Sequence, residues 1–572
     1  MTFSMMRLLD TRRPRLLLAL FCLLLWTPGF FTIPPGDRDE SRFAQASKQM
    51  IETGDFVRIQ NGLEARNRKP IGIHWLQVPF AATARGLGLA TENPIWPYRI
   101  PSALGGLLAV LATFQAGEHL VGRRAALLGA GMLAASVILV VEVHIAKTDA
   151  ALLGATTVAM AVLARAYLAP DRVRAGQAAV FWLAVGAGIL LKGPITPMVA
   201  GLAAASLAVA DRRAVWLRAL RPGWGVPLMA AVVLPWFVAI GMATGGQFFA
   251  DAVGGDLGRK LASGDDTHWG PPGLHLLLLP LLLFPASAAL PGAAVAAWRG
   301  RTAAPTRFLI AWIVPAWVVF EAVPTKLPHY TLPLLPAVCL LAAGWVVAPG
   351  RRAAVEWLGA TLFLLAAALL GMGALAAPRV LHLDTWLGDP AFAAVVACLF
   401  LLWDGGKVKK ARRGAPGDQL EQGPVREGAV LQDFLTPALS VRERGQIVLL
   451  AAVVPFYWAV LGFELPRLAP LWLAPRVVAA MQGMDRLGAV GFAEPSLMFL
   501  AGTDTQWLLA ADAPEALASG RIHTLLVGDR DRAAVLAQAA RQGVPLQQVA
   551  EVDGLNYSRG RTVALTLFRL GP

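Results

Sequence analysis

The residues best suited to chemistry lie in a polar run that follows the first hydrophobic segment of the chain. The run covers 35–44, 54–57 and 67–75, and it includes Asp39 and Lys69. A carboxylate can accept a proton from an attacking hydroxyl group, and an ammonium group can stabilise an anion that forms during a reaction. Because the rest of the chain is mostly apolar, we take this run as the candidate centre of a reaction.

The same residue types recur in short polar segments between the later apolar segments. Two of these are the turns 147–149 and 192–194, and two more are the loop 245–270 and the turn 325–330. They supply these candidates: Lys147, Asp149, Lys192, Arg259, His268, Lys326 and Tyr330. If the fold brings them together, their cations would bind an anionic group beside carboxylates.

The composition indicates which elements must position these residues. Of the 572 residues, 56% are hydrophobic and 15% are charged, and the mean hydropathy is +0.56. A soluble domain is about one quarter charged, so we predict a polytopic membrane protein with spans of about 18 or more apolar residues. The formal charge of +14 includes many arginines between apolar segments. Membrane topology explains them there, so nucleic acid is not an expected partner.

Thirteen spans are predicted from the apolar segments and the basic residues between them. The stretch 73–90 is ambiguous, and charge decides it. If this stretch does not cross, the basic loops all fall on the side of the basic N-terminus, as the positive-inside rule requires. The N-terminus is then cytoplasmic, and 34–98 is one long external loop. The predicted spans are 15–33, 99–119, 124–145, 148–169, 176–191, 194–210, 225–242, 272–297, 307–323, 329–348, 354–376, 390–403 and 447–463.

Three further regions differ from the apolar spans in their sequence patterns. Apolar residues at helical spacing over 40–53 predict an amphipathic helix along the membrane surface. The segment 404–446 has no periodicity and is predicted to be a disordered cytoplasmic linker. Over 464–572, short apolar runs alternate with helical patterns, which predicts a small extracytoplasmic α/β domain. The transmembrane domain is therefore 1–463.

The predicted topology places the polar turns and the polar run on one face of the membrane. Lys69, Asp149, Lys192 and Lys326 all fall on the external side, whereas the arginine clusters fall on the cytoplasmic side. The positions of the lysine turns are not used to build this topology, so their segregation is a second prediction from it. It predicts a site at the outer membrane surface.

These motifs, in this order, resemble those of the lipid-linked-sugar transferases. That family includes the aminoarabinose transferase of lipid A modification and the protein O-mannosyltransferases. Near the C-terminus, 554–561 is similar to the bacterial, aminoarabinose-type branch, and the match covers nearly the whole chain except 404–446. The residues that carry the resemblance are Asp39-Glu40, Arg42-Phe43-Ala44, Gly54-Asp55-Phe56, Lys69-Pro70, His74-Trp75, Lys147-Thr148-Asp149, Leu191-Lys192-Gly193-Pro194 and 326–333.

The resemblance implies a mostly helical GT-C fold and an inverting glycosyltransferase. The expected donor is a sugar on a polyprenyl phosphate such as undecaprenyl phosphate. The acceptor oxygen would attack C1 from the side opposite the leaving phosphate. The expected acceptor is a lipid or glycan, similar to lipid A, at the outer face of the bacterial inner membrane. The chain is expected to act as a monomer among membrane lipids, with its active site and C-terminal domain in the periplasm.

The resemblance also implies roles for the candidates. Asp39 is the expected base, and Asp149 would orient the acceptor or the base. Two structural alternatives stay open: an aspartate can cap a helix, and a lysine can anchor a span at the membrane surface. Substrate and phosphate contacts are expected from Glu40, Arg42, Lys69, Lys192, Arg259, Lys326 and Tyr330.

A divalent metal, zinc or magnesium, is an open question. Some members of the family hold one between a glutamate before the Lys-Pro pair and a histidine in a later loop. His268 matches that histidine, but Arg68 stands where the glutamate would be, and arginine cannot ligate a metal. The three cysteines have no ligand spacing either. No cofactor is therefore assigned.

Two other classes of protein would use the same residues differently. A transporter or flippase of lipid-linked sugars would bind them in the cationic pocket without chemistry. Such proteins usually show internal repeats and broken helices near the bilayer midplane, whereas the polar residues here lie at one surface. A non-catalytic scaffold would leave the charged first loop unexplained.

Overall fold

The structure is a computed structural model, and it describes residues 9, 11–36, 38–89, 93–257, 269–350, 352–380 and 440–572. Most of the described residues are helical, and a five-stranded sheet lies near the C-terminus. The predicted fold class, mostly α with a small α/β domain, is confirmed. The predicted span 390–403 and most of the predicted linker lie outside the described residues.

Long helices joined by short turns build the predicted membrane part and the segment 34–98, which we name the external loop after its predicted side. The turns Pro170–Arg172, Val215–Leu220, Ala286–Ala289 and Pro328–Leu334 are 3₁₀-helical, and Gln247–Phe249 and Ala250–Leu257 follow one another after α10. A small hairpin, β1 (Gln60–Asn61) with β2 (Glu64–Ala65), lies in the external loop. The helices are α1 (Pro14–Trp26), α2 (Asp39–Thr53), α3 (Gly72–Gly86), α4 (Trp96–Leu120), α5 (Arg123–Ala135), α6 (Val137–Val143), α7 (Asp149–Leu168), α8 (Ala175–Lys192), α9 (Ile195–Asp211), α10 (Pro222–Thr244), α11 (Leu274–Leu282), α12 (Leu290–Gly300), α13 (Ala304–Ala322), α14 (Leu335–Val347), α15 (Ala353–Val380) and α16 (Val441–Tyr457).

Among the described residues, eight helical segments are long and apolar enough to cross a membrane. The number rises to ten if each of two bent pairs counts as one span: α5 with α6, bent by 59°, and α11 with α12, bent by 120°. The shorter apolar helices α1 and α9 coincide with two further predicted spans. Helix α3, in the stretch predicted not to cross, has 15 residues and is not among these candidate spans; its place outside the membrane stays a prediction. The number thirteen stays a prediction.

Helix α2 confirms the helix predicted in the first external loop and shows where its polar face lies. Asp39 and Glu40 occupy its first turn, where carboxylates interact favourably with the helix dipole. Gly54 ends the helix at φ 72°, a left-handed conformation that glycine adopts without strain. The polar residues Lys48 and Gln49 are only 4% and 7% exposed. Protein therefore covers the face that a surface helix would leave hydrated.

Helix α16 begins before the predicted end of the linker. Ser440 Oγ accepts a hydrogen bond from Glu443 N at 3.2 Å, and the Glu443 carboxylate accepts one from Ser440 N at 2.6 Å. This reciprocal capping box fixes the start of the helix. Residues 441–446, predicted as linker, are therefore helical. A serine followed three residues later by a glutamate was the sequence signal for this start.

After α16, a π-helical turn (Trp458–Glu464) and the short turns Leu465–Arg467 and Ala469–Leu471 lead into the C-terminal domain. The sheet order is β4-β3-β5-β7-β6; β3 runs parallel to β4 and β5, and β7 runs antiparallel to β5 and β6. Every residue of β3 and β5 is buried, as expected for central strands. The elements are α17 (Leu473–Ala480), β3 (Leu487–Val490), α18 (Pro495–Ala501), β4 (Gln506–Trp507), α19 (Ala513–Ala518), β5 (Thr524–Gly528), α20 (Asp529–Gln542), β6 (Leu546–Asn556) and β7 (Arg561–Leu570).

The C-terminal domain packs on the polar face of α2. Lys48 Nζ donates a hydrogen bond to Phe499 O at 3.0 Å, and Gln45 Nε2 donates one to Thr503 Oγ1 at 2.8 Å. Thr503 Oγ1 in turn donates to Glu52 Oε2 at 2.6 Å. The domain thus satisfies buried polar groups of α2, which would be costly to leave unpaired. It fixes the external loop that carries the candidate chemistry.

Candidate active site

A cavity of about 360 Å³ opens where the external loop meets the ends of α7, α8, α10 and α13. Its wall is largely apolar and includes Phe237, Phe248 and Phe320. An apolar wall with a few convergent polar groups is typical of a ligand site. The structure thus brings together four predicted residues from distant parts of the chain. The polar and charged residues that line the cavity are Arg68, Lys69, Asp149, Lys192, His329 and Tyr330.

Asp149 lies at the centre of the charged part of this cavity. Its side chain is 4% exposed and pairs through Oδ1 with the ammonium group of Lys192. Lys147 Nζ lies 3.7 Å from its Oδ2, and His329 Nε2 lies 3.7 Å from its Oδ1. Lys192 Nζ is also 5.5 Å from the centre of the Tyr330 ring, a cation–π distance. Asp149 is the first residue of α7, but cations and an imidazole surround its carboxylate.

Glu142 is a member of this cluster that the sequence analysis missed. Its Oε1 lies 2.9 Å from Lys147 Nζ and 3.8 Å from His329 Nδ1, and the side chain is buried. Burial alone would lower the pKa of Lys147, but Glu142 and Asp149 outweigh it and raise that pKa above its ordinary value. A glutamate within an apolar segment was the available signal, since such a residue is rarely tolerated there without a role.

Lys69 enters the cavity from the external loop. Its ammonium group lies 5.0 Å from the centre of the Phe43 ring, and the guanidinium carbon of Arg66 lies 4.3 Å from the same ring. Burial, followed by repulsion from Lys192, lowers the pKa of Lys69 to about 8, although Asp39 and Asp149 oppose the shift. Lys69 is therefore within electrostatic reach of both aspartates predicted to be catalytic.

Asp39 lies beside this group of charges, although it is not among the described residues that line the cavity. Its side chain is 51% exposed, with Oδ1 3.5 Å from Arg66 Nη2 and 3.9 Å from Arg42 Nη1. Burial by the surrounding chain opposes its ionisation. The positive charges of Lys69, Arg66 and Lys147 outweigh that effect and hold the pKa of Asp39 below its ordinary value. Asp39 is thus an ionised, accessible carboxylate.

Glu40, the next residue, is placed quite differently. It forms a buried bidentate pair with Arg99, at 2.8 Å from Nε to Oε1 and 3.1 Å from Nη2 to Oε2. Its carboxylate also accepts hydrogen bonds from Gly36 N at 2.7 Å and Ala146 N at 2.9 Å. Glu40 thus ties α2 to α4 and to the turn before Lys147. These contacts indicate a positioning role rather than the predicted substrate contact.

Lys326 is also held by the protein rather than directed into the cavity. Its ammonium group donates hydrogen bonds of 2.8 Å to the carbonyl oxygens of Glu321 and Val323 at the end of α13. Glu321 Oε2 lies 3.7 Å away. A cation bound to the last carbonyls of a helix satisfies groups that the helix leaves unpaired. Lys326 is not among the described residues that line the cavity.

Comparison with known proteins supports the resemblance. The family described as dolichyl-phosphate-mannose-protein mannosyltransferase matches residues 69–238. The chain is 28% identical over 379 residues to an undecaprenyl phosphate-alpha-4-amino-4-deoxy-L-arabinose arabinosyl transferase of Pectobacterium carotovorum. The match covers 62% of this chain and 65% of that protein. The corresponding protein of Aeromonas salmonicida is 28% identical over 398 residues, which covers 66% of this chain and 69% of that one. The matched region thus spans about two thirds of these relatives.

The structural comparison covers almost the entire chain. The crystal structure of ArnT from Cupriavidus metallidurans bound to undecaprenyl phosphate has a TM-score of 0.70 and 20% sequence identity. It covers 96% of this chain and 97% of that one. The apo structure of the same protein has a TM-score of 0.68. The chain has an ArnT-like fold.

For the metal question, this chain has an arginine, Arg68, where the resemblance implies a glutamate ligand. Arg68 lines the cavity. Within the described ranges, no three metal-ligating side chains come together. Arg68 itself cannot serve as a metal ligand. His268 and Arg259 lie outside the described residues, so their predicted roles stay predictions.

The C-terminal motif, 554–561, lies at the tip of the β6–β7 hairpin. The buried carboxylate of Glu494 accepts hydrogen bonds from Asn556 Nδ2 at 2.9 Å and Ser558 Oγ at 3.0 Å. Arg38 Nη2 donates to Ser558 O at 2.6 Å. Arg38 has φ 63°, a strained conformation for a residue with a side chain. The hairpin therefore anchors the strained backbone next to Asp39.

Proposed function

We propose that the chain is an inverting glycosyltransferase that moves a sugar from a polyprenyl phosphate to a lipid or glycan acceptor. The observation that supports this most is the cavity itself. It joins Lys69, Lys192 and Tyr330 to an apolar, aromatic wall. The donor has the same two parts, an anionic phosphate and a long apolar chain. The donors named for the arabinosyl transferase relatives also consist of a sugar on undecaprenyl phosphate.

The donor phosphate would bind among the cations at the charged end of the cavity. Lys192 pairs with Asp149, Lys69 lies within electrostatic reach of the same carboxylate, and the Tyr330 hydroxyl group can donate a hydrogen bond. Negative charge grows on the phosphate as the bond from C1 to the phosphate oxygen breaks. Preorganised cations stabilise that charge more in the transition state than in the bound donor. We propose the same role for Arg259.

The acceptor hydroxyl would be activated by Asp39. Its oxygen attacks C1, the electron pair of the broken bond passes to the phosphate, and the hydroxyl proton passes to the Asp39 carboxylate. Asp39 suits this role because it is both ionised and half-exposed. Asp149 would hold Lys192 and Lys147 in position, which orients the phosphate site. Arg42 and Arg66 would orient Asp39.

Two predicted substrate residues are better proposed as supports. Glu40 links the first external loop to the turn before Lys147 through Arg99 and Ala146. Lys326 closes the end of α13 beside the cavity wall. Both residues act through the positions of their neighbours rather than through contact with the substrate.

We further propose that the chain is a monomer of the bacterial inner membrane. The N-terminus would be cytoplasmic, and the cavity and the domain 464–572 would be periplasmic, since this arrangement keeps the basic loops inside. A reporter fused after Gly462 tests the orientation. Activity of the reporter in the periplasm is expected. Activity in the cytoplasm would overturn the topology.

Transfer itself is tested with the purified full-length chain. We expect that undecaprenyl phosphate carrying one of several sugars, such as aminoarabinose, mannose or galactosamine, is consumed and that its sugar appears on an acceptor. Mass spectrometry of lipid A, surface glycans and membrane lipids from cells with and without the chain identifies that acceptor. If the donor crosses vesicle membranes unchanged and no acceptor gains mass, the chain is a flippase and the proposal fails.

A further inference from the structure

A second site lies away from the cavity, in a groove of about 310 Å³ between α6, α15 and α16. Its wall includes Val140, Leu370, Gly373 and Leu461, and it shares no residue with the cavity described above. The wall also contains Tyr457, whose hydroxyl group donates a hydrogen bond to Ala135 O at 2.7 Å. The only ionisable carboxylate among the described residues of this wall is Glu464.

Glu464 is an unusual residue for the wall of an apolar groove. It is 4% exposed, and its Oε2 has no hydrogen-bond partner among the described residues. It also ends a π-helical turn, Trp458–Glu464, within a span that runs from Val441 to Arg467. Buried ionisable residues in spans are costly and usually functional, and π-helical turns often mark functional sites. An unpaired carboxylate oxygen in an apolar groove requires a donor from elsewhere.

A second groove of the same chain serves as a comparison, because the described residues of its wall are apolar and include no carboxylate. It has a volume of about 320 Å³ and is lined by residues of α8, α9 and the following turn, including Phe181, Val185 and Gly201. It contains no ionisable side chain among its described residues. An apolar groove of this size is therefore an ordinary feature of this helical bundle. The carboxylate of Glu464 distinguishes the first groove, between α6, α15 and α16, from this one.

We propose that the first groove binds one membrane lipid that carries a primary amine, with its ammonium group on Glu464 and an acyl chain along α15. An ammonium group offers three donors to the unpaired oxygen, and such a charge-assisted bond is stronger than a neutral one. Glu464 lies within one turn of the end of its span, at the depth where a phospholipid carries its headgroup. The apolar wall suits the acyl chain. This proposal depends only on the membrane position of the chain.

The delipidated full-length chain can be tested with phosphatidylethanolamine and phosphatidylglycerol of identical acyl chains. The variants are Glu464→Gln, which removes the charge at constant shape, and Gly373→Leu, which fills the groove. A Cβ at Gly373 meets no atom within 4 Å, so the larger side chain fits. Gly201→Leu is the matched control, since a Cβ there also meets no atom within 4 Å but lies in the other groove.

Native mass spectrometry measures the lipid that each protein retains. We expect the wild type and Gly201→Leu to bind one phosphatidylethanolamine at least about tenfold more tightly than phosphatidylglycerol, a difference of about 1.4 kcal/mol. Glu464→Gln and Gly373→Leu should lose that preference. Equal affinity for the two lipids, or unchanged binding by Glu464→Gln, would overturn the proposal. Thermal unfolding of each variant confirms that a lost lipid does not reflect a lost fold.

Discussion

The turns at Lys192 and Lys326 carry the same residue types, yet the structure uses them in opposite ways. Each turn follows an apolar helix, and each is predicted on the external face. Lys192 lines the cavity and pairs with Asp149, a carboxylate that also lines it. Lys326 donates hydrogen bonds to two carbonyl oxygens at the end of α13. The partners of a lysine, rather than its type or its side of the membrane, separate a ligand contact from a structural anchor.

The neighbouring carboxylates Asp39 and Glu40 repeat this contrast within two residues. Asp39 is half-exposed and faces cations at 3.5 Å or more. Glu40 is buried, with two backbone N–H groups and a bidentate arginine as partners. A group whose acceptors are all occupied has little capacity left for a substrate. Substitutions at these positions test whether this difference in partners is a difference in function.

The largest effect is expected from Asp39→Asn. Because an amide cannot accept the hydroxyl proton, the rate of transfer should fall by about 10²–10⁴-fold, while donor binding stays nearly unchanged. Initial rates with purified protein measure this loss. Asp55→Asn is the matched control in the same loop. Asp55 Oδ1 accepts hydrogen bonds from Val57 N and Arg58 N, so its role is to stabilise the following turn rather than to accept a proton from a substrate. Equal losses in both variants would remove Asp39 from the mechanism.

Glu40→Ala should act on stability instead. It leaves the buried Arg99 without its partner, and breaking a buried ion pair costs about 3–5 kcal/mol. The unfolding midpoint should fall clearly, while the rate per folded molecule changes far less than in Asp39→Asn. The double variant Glu40→Leu with Arg99→Met removes both charges and should recover part of the loss. If Glu40→Ala unfolds like the wild type but transfers nothing, Glu40 contacts the substrate after all.

The sequence predicts which charged residues lie near the site, but it does not predict which partner each of them contacts. The pattern of apolar segments predicts the polytopic fold, and the lysine turns predict that Lys69, Asp149 and Lys192 meet, because helix ends on one face lie near one another. Glu142 escaped notice because it lies inside an apolar segment rather than in a turn. The roles of Glu40 and Lys326 could not be predicted, since their partners, Arg99 and the carbonyl groups of α13, are defined only by tertiary packing.

The pH dependence of donor binding should separate Lys69 from the structural lysines. With its pKa lowered to about 8, Lys69 is charged below that pH and loses its charge as the pH rises through it. Donor affinity should therefore fall above about pH 8. Lys69→Arg should bind donor without this fall, because arginine keeps its charge. Below about pH 8, Lys69→Ala should bind about tenfold to a hundredfold more weakly than the wild type, because it lacks one hydrogen bond from a charged group. This difference should shrink as wild-type Lys69 loses its charge at higher pH. Equilibrium binding of undecaprenyl phosphate measures these effects.

A retained fall above pH 8 in Lys69→Arg would assign the titration to another group. Glu142 contacts the same cluster, so its variants would be the next to measure. Unaltered affinity in Lys69→Ala would count against any phosphate contact of Lys69.

The smallest effect should come from Lys326→Met, and it tests the contrast of the two lysines directly. Methionine keeps the apolar stem but leaves the Glu321 and Val323 carbonyl groups without their donor, which should cost about 1–3 kcal/mol of stability. Affinity for undecaprenyl phosphate should stay within about twofold, whereas Lys192→Met should lower it by about tenfold. Binding and thermal unfolding of the two variants are measured side by side. If Lys326→Met weakens binding as much as Lys192→Met, occupied hydrogen bonds do not distinguish a structural lysine from a ligand contact in this fold.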